Sequence, residues 1–143
     1  WDSYGLNPHN FYLYHDPFLD HLAWIPWDHN EAFWIGNPMS PALDLGFENV
    51  GDDWPLIRYL IDNEHYNEVF RKEVADFIQG PFRLDRLISL LETHLSIADQ
   101  YVHREQFPFT CLGEPENFPL HRNMILDHAR IRYQAAVDFL EKQ

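Results

Sequence analysis

A chain of 143 residues that is 45% hydrophobic and 16% aromatic carries ample apolar surface for a packed core and lacks the composition of a disordered polymer. Its formal charge of -13 is concentrated at the front: residues 1–57 hold nine of the 23 acids and none of the 10 Lys and Arg, which repels a nucleic-acid backbone and suits a cation. No apolar run reaches the roughly 18 residues of a membrane span, and the single cysteine, Cys111, excludes a disulfide framework or a Cys-based zinc site within the chain.

In chain order, residues 1–10 (WDSYGLNPHN) are broken by Gly5, Asn7, Pro8 and Asn10 and read as an irregular loop. They carry no initiator Met and no charged start followed by an apolar run, so no signal peptide is visible and the chain is expected to be a piece of a longer protein. Residues 10–15 (NFYLYH) have strand composition, DPFLD is turn-like, and residues 21–27 return as a second strand that stops on Asp28. Pro26 cannot donate to a sheet ladder and belongs at that strand's exit or on an edge. Residues 34–53 hold two prolines and three glycines and predict a long loop.

From there the pattern turns helical. Pro55 opens a first helix with Leu56, Ile57, Leu60 and Ile61. Asn63 can cap a second over EHYNEVFRKEVADFIQ, with Tyr66, Phe70, Val74, Phe77 and Ile78 on one face and Gly80-Pro81 as its stop. A third is expected over residues 84–104, burying Leu84, Leu87, Ile88, Leu91, Leu95, Ala98 and Val102. Residues 106–118 interrupt the periodicity, and a fourth helix over residues 119–141 should bury Ile125, Ala129, Ala136, Val137 and Leu140. The remaining charged residues, among them Arg71, Lys72, Arg83 and Arg86, read as helix faces in water. The expected fold is α+β and mainly α: a loop-and-hairpin unit (residues 1–53) packed on a bundle of about four helices (residues 54–143), one domain over residues 1–143.

The chemistry lies at the front. Asp2 is followed five residues later by Asn7, then a hairpin, then Asp28 at a strand end. A protein kinase centre has its parts in this order: an Asp that orients the attacking hydroxyl, an Asn that holds a metal, two short strands, and an Asp that binds the magnesium on the ATP phosphates.

The stretch WDSYGLNPHNFYLYHDP, continued by LAWIPWDHNEAF, also closely resembles the CotH kinase family, atypical protein kinases named after a bacterial spore-coat protein. The WDSY loop, the hairpin opening and the IPWD strand end carry the likeness, and LIDNEHYNEVFRKEVADFIQGPFRLDRLISLLETH resembles the family's C-terminal helices. The resemblance implies the C-terminal lobe of a kinase-like fold, use of ATP with Mg2+ or Mn2+, and a protein substrate phosphorylated on Ser or Thr. It also implies a bacterial setting in the spore coat or at the cell surface. Position by position it makes Asp2 the catalytic Asp, Asn7 (or Asn10) a metal ligand and Asp28 the principal metal ligand, with Asn7 and Asp28 serving the nucleotide through that metal.

Departures accompany the likeness. Asn30 stands where many relatives have a second Asp, a neutral and weaker ligand, and Trp1 stands where ordinary kinases have the Arg before the catalytic Asp. No glycine-rich loop and no phosphate-pairing Lys is present, and both are needed to grip ATP. Two rival readings use the same segment. His9, His15, His21 and His29 with Asp28 would make a transition-metal site, although their spacing fits no standard motif. An aromatic-rich surface module would recognise a partner with no need of Asp2 or Asn7.

Overall fold

The computed structural model describes residues 3–29, 32–33, 44–104 and 114–142. Among these the chain is mainly helical with one two-stranded antiparallel sheet: β1 (Phe11–Asp16), β2 (His21–Pro26), α1 (Pro55–Ile61), α2 (Glu64–Gln79), α3 (Leu84–Val102) and α4 (Phe118–Glu141). A short 3-10 turn, Pro115–Asn117, leads into α4. The chain divides into two compact units, Trp1–Phe70 and Arg71–Gln143, and α2 runs through the boundary.

In the first unit β1 pairs with β2 from Phe11↔Pro26 to Asp16↔His21. The turn is closed by Asp16, whose carboxylate accepts from the amides of Phe18 at 2.8 Å and Leu19 at 3.2 Å, an Asx turn that needs no glycine. Tyr4 ties the unit together. Its ring meets Phe11, Trp24 and Trp54 edge-on at centroid distances of 5.3, 5.5 and 4.9 Å, and Phe11 and Trp24 stack across the strands at 4.4 Å. Helix α1 begins at Trp54 with no cap from its own N-cap side chain, and the Tyr4 hydroxyl accepts the orphan Leu56 amide at 3.2 Å instead. One tyrosine therefore fixes the leading loop, the hairpin and the start of α1.

Residues 44–54, the described part of the expected loop, form successive tight turns: Phe47 N donates to Asp44 O, Val50 N to Phe47 O and Trp54 N to Gly51 O. Val50 is buried and Phe47 packs on Phe70, so the turns are anchored from within. The rest of that loop, residues 34–43, lies outside the described residues.

Helix α2 starts where Asn63 Oδ1 accepts from Tyr66 N at 3.3 Å, the cap expected from sequence. It ends at Gly80, where an added Cβ would stand 3.0 Å from the Asp76 carbonyl and where Phe82 N returns to Phe77 O at 2.8 Å. In the second unit α3 packs against α4. At the head of α3, Asp85 accepts from Arg83 Nε at 2.6 Å and Arg86 N at 2.8 Å, and its pKa is lowered, chiefly by Arg83. The α3 residues expected inside are all at least half-buried, with Val102 fully so.

On α4 the buried residues are Phe118, Leu126, Ala129, Ala136 and Phe139, whereas sequence pointed to Ile125, Ala129, Ala136, Val137 and Leu140. The face is turned by about one residue, and Ile125, Val137 and Leu140 lie at its half-buried margins. Two members of the expected α2 face, Tyr66 and Phe77, are exposed, and Ile78 alone on that helix is buried. Arg71 is no solvated helix charge: its guanidinium donates to Leu140 O at 2.9 Å and Lys142 O at 2.7 Å and lies 4.8 Å over the Phe139 ring. It satisfies the last carbonyls of α4, where a cation is favoured.

Candidate functional site

The open end of the hairpin lies at Asn10 and Asp28, and the described candidate residues belong to it or to the loop that leads into it. The leading loop turns tightly, with Leu6 N and Asn7 N both donating to Ser3 O, at 3.1 and 2.9 Å. Gly5 makes the turn at a φ of 112°, in the region that a side chain disfavours. Asn7 is half-buried in this loop, and His9 N donates to its carbonyl at 2.8 Å.

The ladder then extends one rung past the strands, because Trp27 N donates to Asn10 O at 3.0 Å. Asn10 and Asp28 both leave it in left-handed backbone, at φ 57° and 50°. Asn and Asp visit that region more readily than other side chains, yet at a cost of about 1 kcal/mol. A left-handed turn at the strand exit ends β2 sharply and leaves Asp28 exposed beside the rung formed by Asn10. Beyond it Ala32 N donates to His29 O at 3.1 Å.

Asp28, Asn10 and the loop bearing Asn7 therefore belong to one end of the hairpin. Asp2 and Asn30 lie outside the described residues. Carboxylate and amide oxygens are hard donors, the kind that Mg2+ and Mn2+ take, so the side chains present suit such an ion. Among the described residues no group of three or more His, Cys, Asp or Glu side chains converges as a metal site.

The rival histidine set is divided by the same register. His15 and His21 belong to the last two rungs at the turn, four and five residues along the strands from the Phe11↔Pro26 rung, about 13 and 17 Å at 3.3 Å per residue. His15 Nε2 meets Asp20 Oδ1 at 3.0 Å there, whereas His9 and His29 flank the open end. One ion cannot use all four.

Tyr4 is the residue of this region whose role the sequence does not announce. Its three ring contacts and its bond to α1 hold the Asn7 loop against the hairpin, yet in the chain it is only the fourth letter of WDSY.

An acidic loop and hairpin, followed by helices, with an Asp in left-handed backbone at the second strand's exit, define a mainly helical α+β protein of the class expected from sequence. The family model of the CotH kinase protein matches residues 1–138, and the chain belongs to the CotH kinase family. No curated protein and no solved structure matches it. No helix among the described residues is long and apolar enough to cross a membrane.

Proposed function

We propose that this chain is the C-terminal-lobe part of a metal-dependent protein kinase, which moves the γ-phosphate of ATP to Ser or Thr hydroxyls of a protein substrate. The observation that supports it best is the left-handed turn that ends β2 on an exposed Asp28, beside the rung of Asn10, into which the Asn7 loop leads. Asp28 and Asn7 are the residues to hold Mg2+ or Mn2+, with Asn10 and Asn30 as further oxygen donors. An ion held there supplies charge neutralisation for the nucleotide phosphates. Asp2 orients the substrate hydroxyl and accepts its proton as the new O–P bond forms and the bond to ADP breaks. The family's kinship with spore-coat proteins supports a bacterial setting in the spore coat or at the cell surface.

The metal assignment is tested on the 143-residue chain itself. At about ten times the dissociation constant, Mg2+ or Mn2+ should stabilise the folded state by about 1.4 kcal/mol. That is a rise of roughly 4 °C in Tm for a chain of this size. Asp28→Asn keeps a side chain that tolerates left-handed backbone and should abolish the rise. An equal rise in wild type and variant removes Asp28 from the site.

The chain by itself should transfer almost no phosphate. Residues 1–57 contain no cation to stabilise the transferring group, and the glycine-rich loop and phosphate-pairing Lys are not in the sequence. Robust ATP-dependent phosphorylation of a protein acceptor by residues 1–143 would overturn the division of labour proposed here.

A second reading, a non-catalytic surface module, is favoured by one observation: the hairpin leaves Tyr12, Tyr14, Ile25 and Trp27 exposed. Aromatic surface of this extent is characteristic of a partner-binding face.

A further inference from the structure

The far end of the hairpin, away from Asp28, carries an exposed apolar tip. Between Asp16 and Asp20 the turn reads Pro17, Phe18, Leu19; Phe18 is 94% exposed, Leu19 69% and the adjoining Leu22 64%. Turns are ordinarily built from Gly, Asn, Asp and Ser because those residues close the backbone. Here the flanking acids close it. Asp16 accepts both the Phe18 and the Leu19 amides, and Asp20 takes the left-handed position at φ 48° while its carboxylate meets His15. Neither Phe18 nor Leu19 is needed to form the turn. They are held out in water on a backbone already ordered, which lowers the entropy that a partner must overcome in order to bury them.

An exposed apolar tip fits either a lipid surface or another polypeptide, and charge separates the two. Peripheral membrane elements pair their apolar groups with Lys and Arg that meet anionic headgroups. This tip sits between two aspartates in a segment of nine acids and no bases, on a chain of net charge -13, and an anionic bilayer repels it. A second copy of the chain is a poor partner for the same reason, since residues 58–143, with 14 acids and 10 bases, are also net negative.

We propose that the hairpin tip, with Phe18 as the anchor and Leu19 and Leu22 beside it, docks a polypeptide that offers apolar side chains flanked by Lys or Arg. Phe18 supplies the buried contact, in the way that a few central aromatics dominate most interfaces. Asp16 and Asp20 at the rim select a cationic partner and speed its encounter. This docking is independent of phosphoryl transfer and uses none of Asp2, Asn7 or Asp28.

The test titrates the 143-residue chain with a short labelled peptide that alternates Lys and Leu, and with two counterparts in which Glu replaces every Lys or Ser replaces every Leu. The Lys–Leu peptide should bind at least about tenfold more tightly than either counterpart. The double variant Phe18→Ser, Leu19→Ser should weaken it by about tenfold or more, with Tm unchanged because both side chains are exposed. Ile131→Ser, at another exposed apolar position, on α4 (58%), should leave the affinity as in wild type. Equal binding by the tip variant overturns the proposal, as does equal binding of the Lys–Ser counterpart, which would reduce the effect to net charge. Phe18-dependent binding to phosphatidylserine vesicles would overturn it in favour of a lipid surface.

Discussion

Truncating Phe139 to alanine should cost the second unit about 3–5 kcal/mol, the usual range for removing a buried phenylalanine from a core. Phe139 is buried near the end of α4, and Arg71 lies over its ring while donating to the carbonyls of Leu140 and Lys142. Losing the ring thus opens a cavity and removes the surface on which the guanidinium rests. Domains of this size have only about 5–15 kcal/mol of net stability, so one substitution takes a large share of it. Urea denaturation would read the effect as a lower midpoint, with Phe139→Leu recovering most of the loss because it keeps most of the volume. A loss below about 1 kcal/mol in Phe139→Ala would mean that the helical unit is held elsewhere.

The boundaries of the elements were legible because the sequence punctuates them. Pro55, Asn63, Gly80-Pro81 and the break before α4 mark starts and stops by backbone chemistry that acts locally, and α3 and α4 depart from expectation by only one or two residues. Faces were harder to read. On α4 the pairs Ile125–Leu126 and Ala136–Val137 set apolar residues side by side, so a period of 3.6 fits two stripes about 100° apart, and packing against α3 chose between them. Tyr66 and Phe77 satisfy the α2 period and yet stay exposed, since an aromatic on the right face is an invitation to burial only if something covers it. The role of Arg71 had no local signal at all. Its partner carbonyls are 69 and 71 residues away, and among exposed helix charges it looked like any other.

The candidate site divides along the same line. The order of Asp2, Asn7, hairpin and Asp28 can be written down from the chain, and the WDSY, hairpin-opening and IPWD stretches point to the family to which the chain belongs. The left-handed turns at Asn10 and Asp28 were not, because neither residue's neighbours force that conformation. It accompanies the extra rung between Trp27 and Asn10, a contact across the hairpin rather than along it. Likewise the register that parts His15 and His21 from Asp28 emerges only once β1 and β2 are paired, which is why a four-histidine metal site could be written down from sequence. Tyr4 draws its importance from three aromatic partners, at Phe11, Trp24 and Trp54, that the chain brings from separate elements.

In a parent protein that supplies the phosphate-gripping Lys and glycine-rich loop, Asp2→Asn should lower the turnover rate by about a hundredfold or more, the scale on which a positioned acid–base group acts. Asp2 is proposed to accept the substrate proton and to have no part in holding the nucleotide. Asparagine is nearly isosteric with it, so ATP affinity should stay within about threefold, a change of less than 1 kcal/mol. Asp28→Asn should behave differently, because Asp28 works through the metal: nucleotide affinity and turnover should fall together, and the fall in affinity should shrink when Mg2+ is withheld from wild type and variant alike. Measuring kcat and nucleotide Kd side by side for the two variants therefore separates the two carboxylates by role. The surface-module reading has no transfer to lose, and partner affinity would be indifferent to Asp2. If Asp2→Asn phosphorylates its protein substrate at a near wild-type rate, the catalytic assignment of Asp2 fails while membership of the family stands.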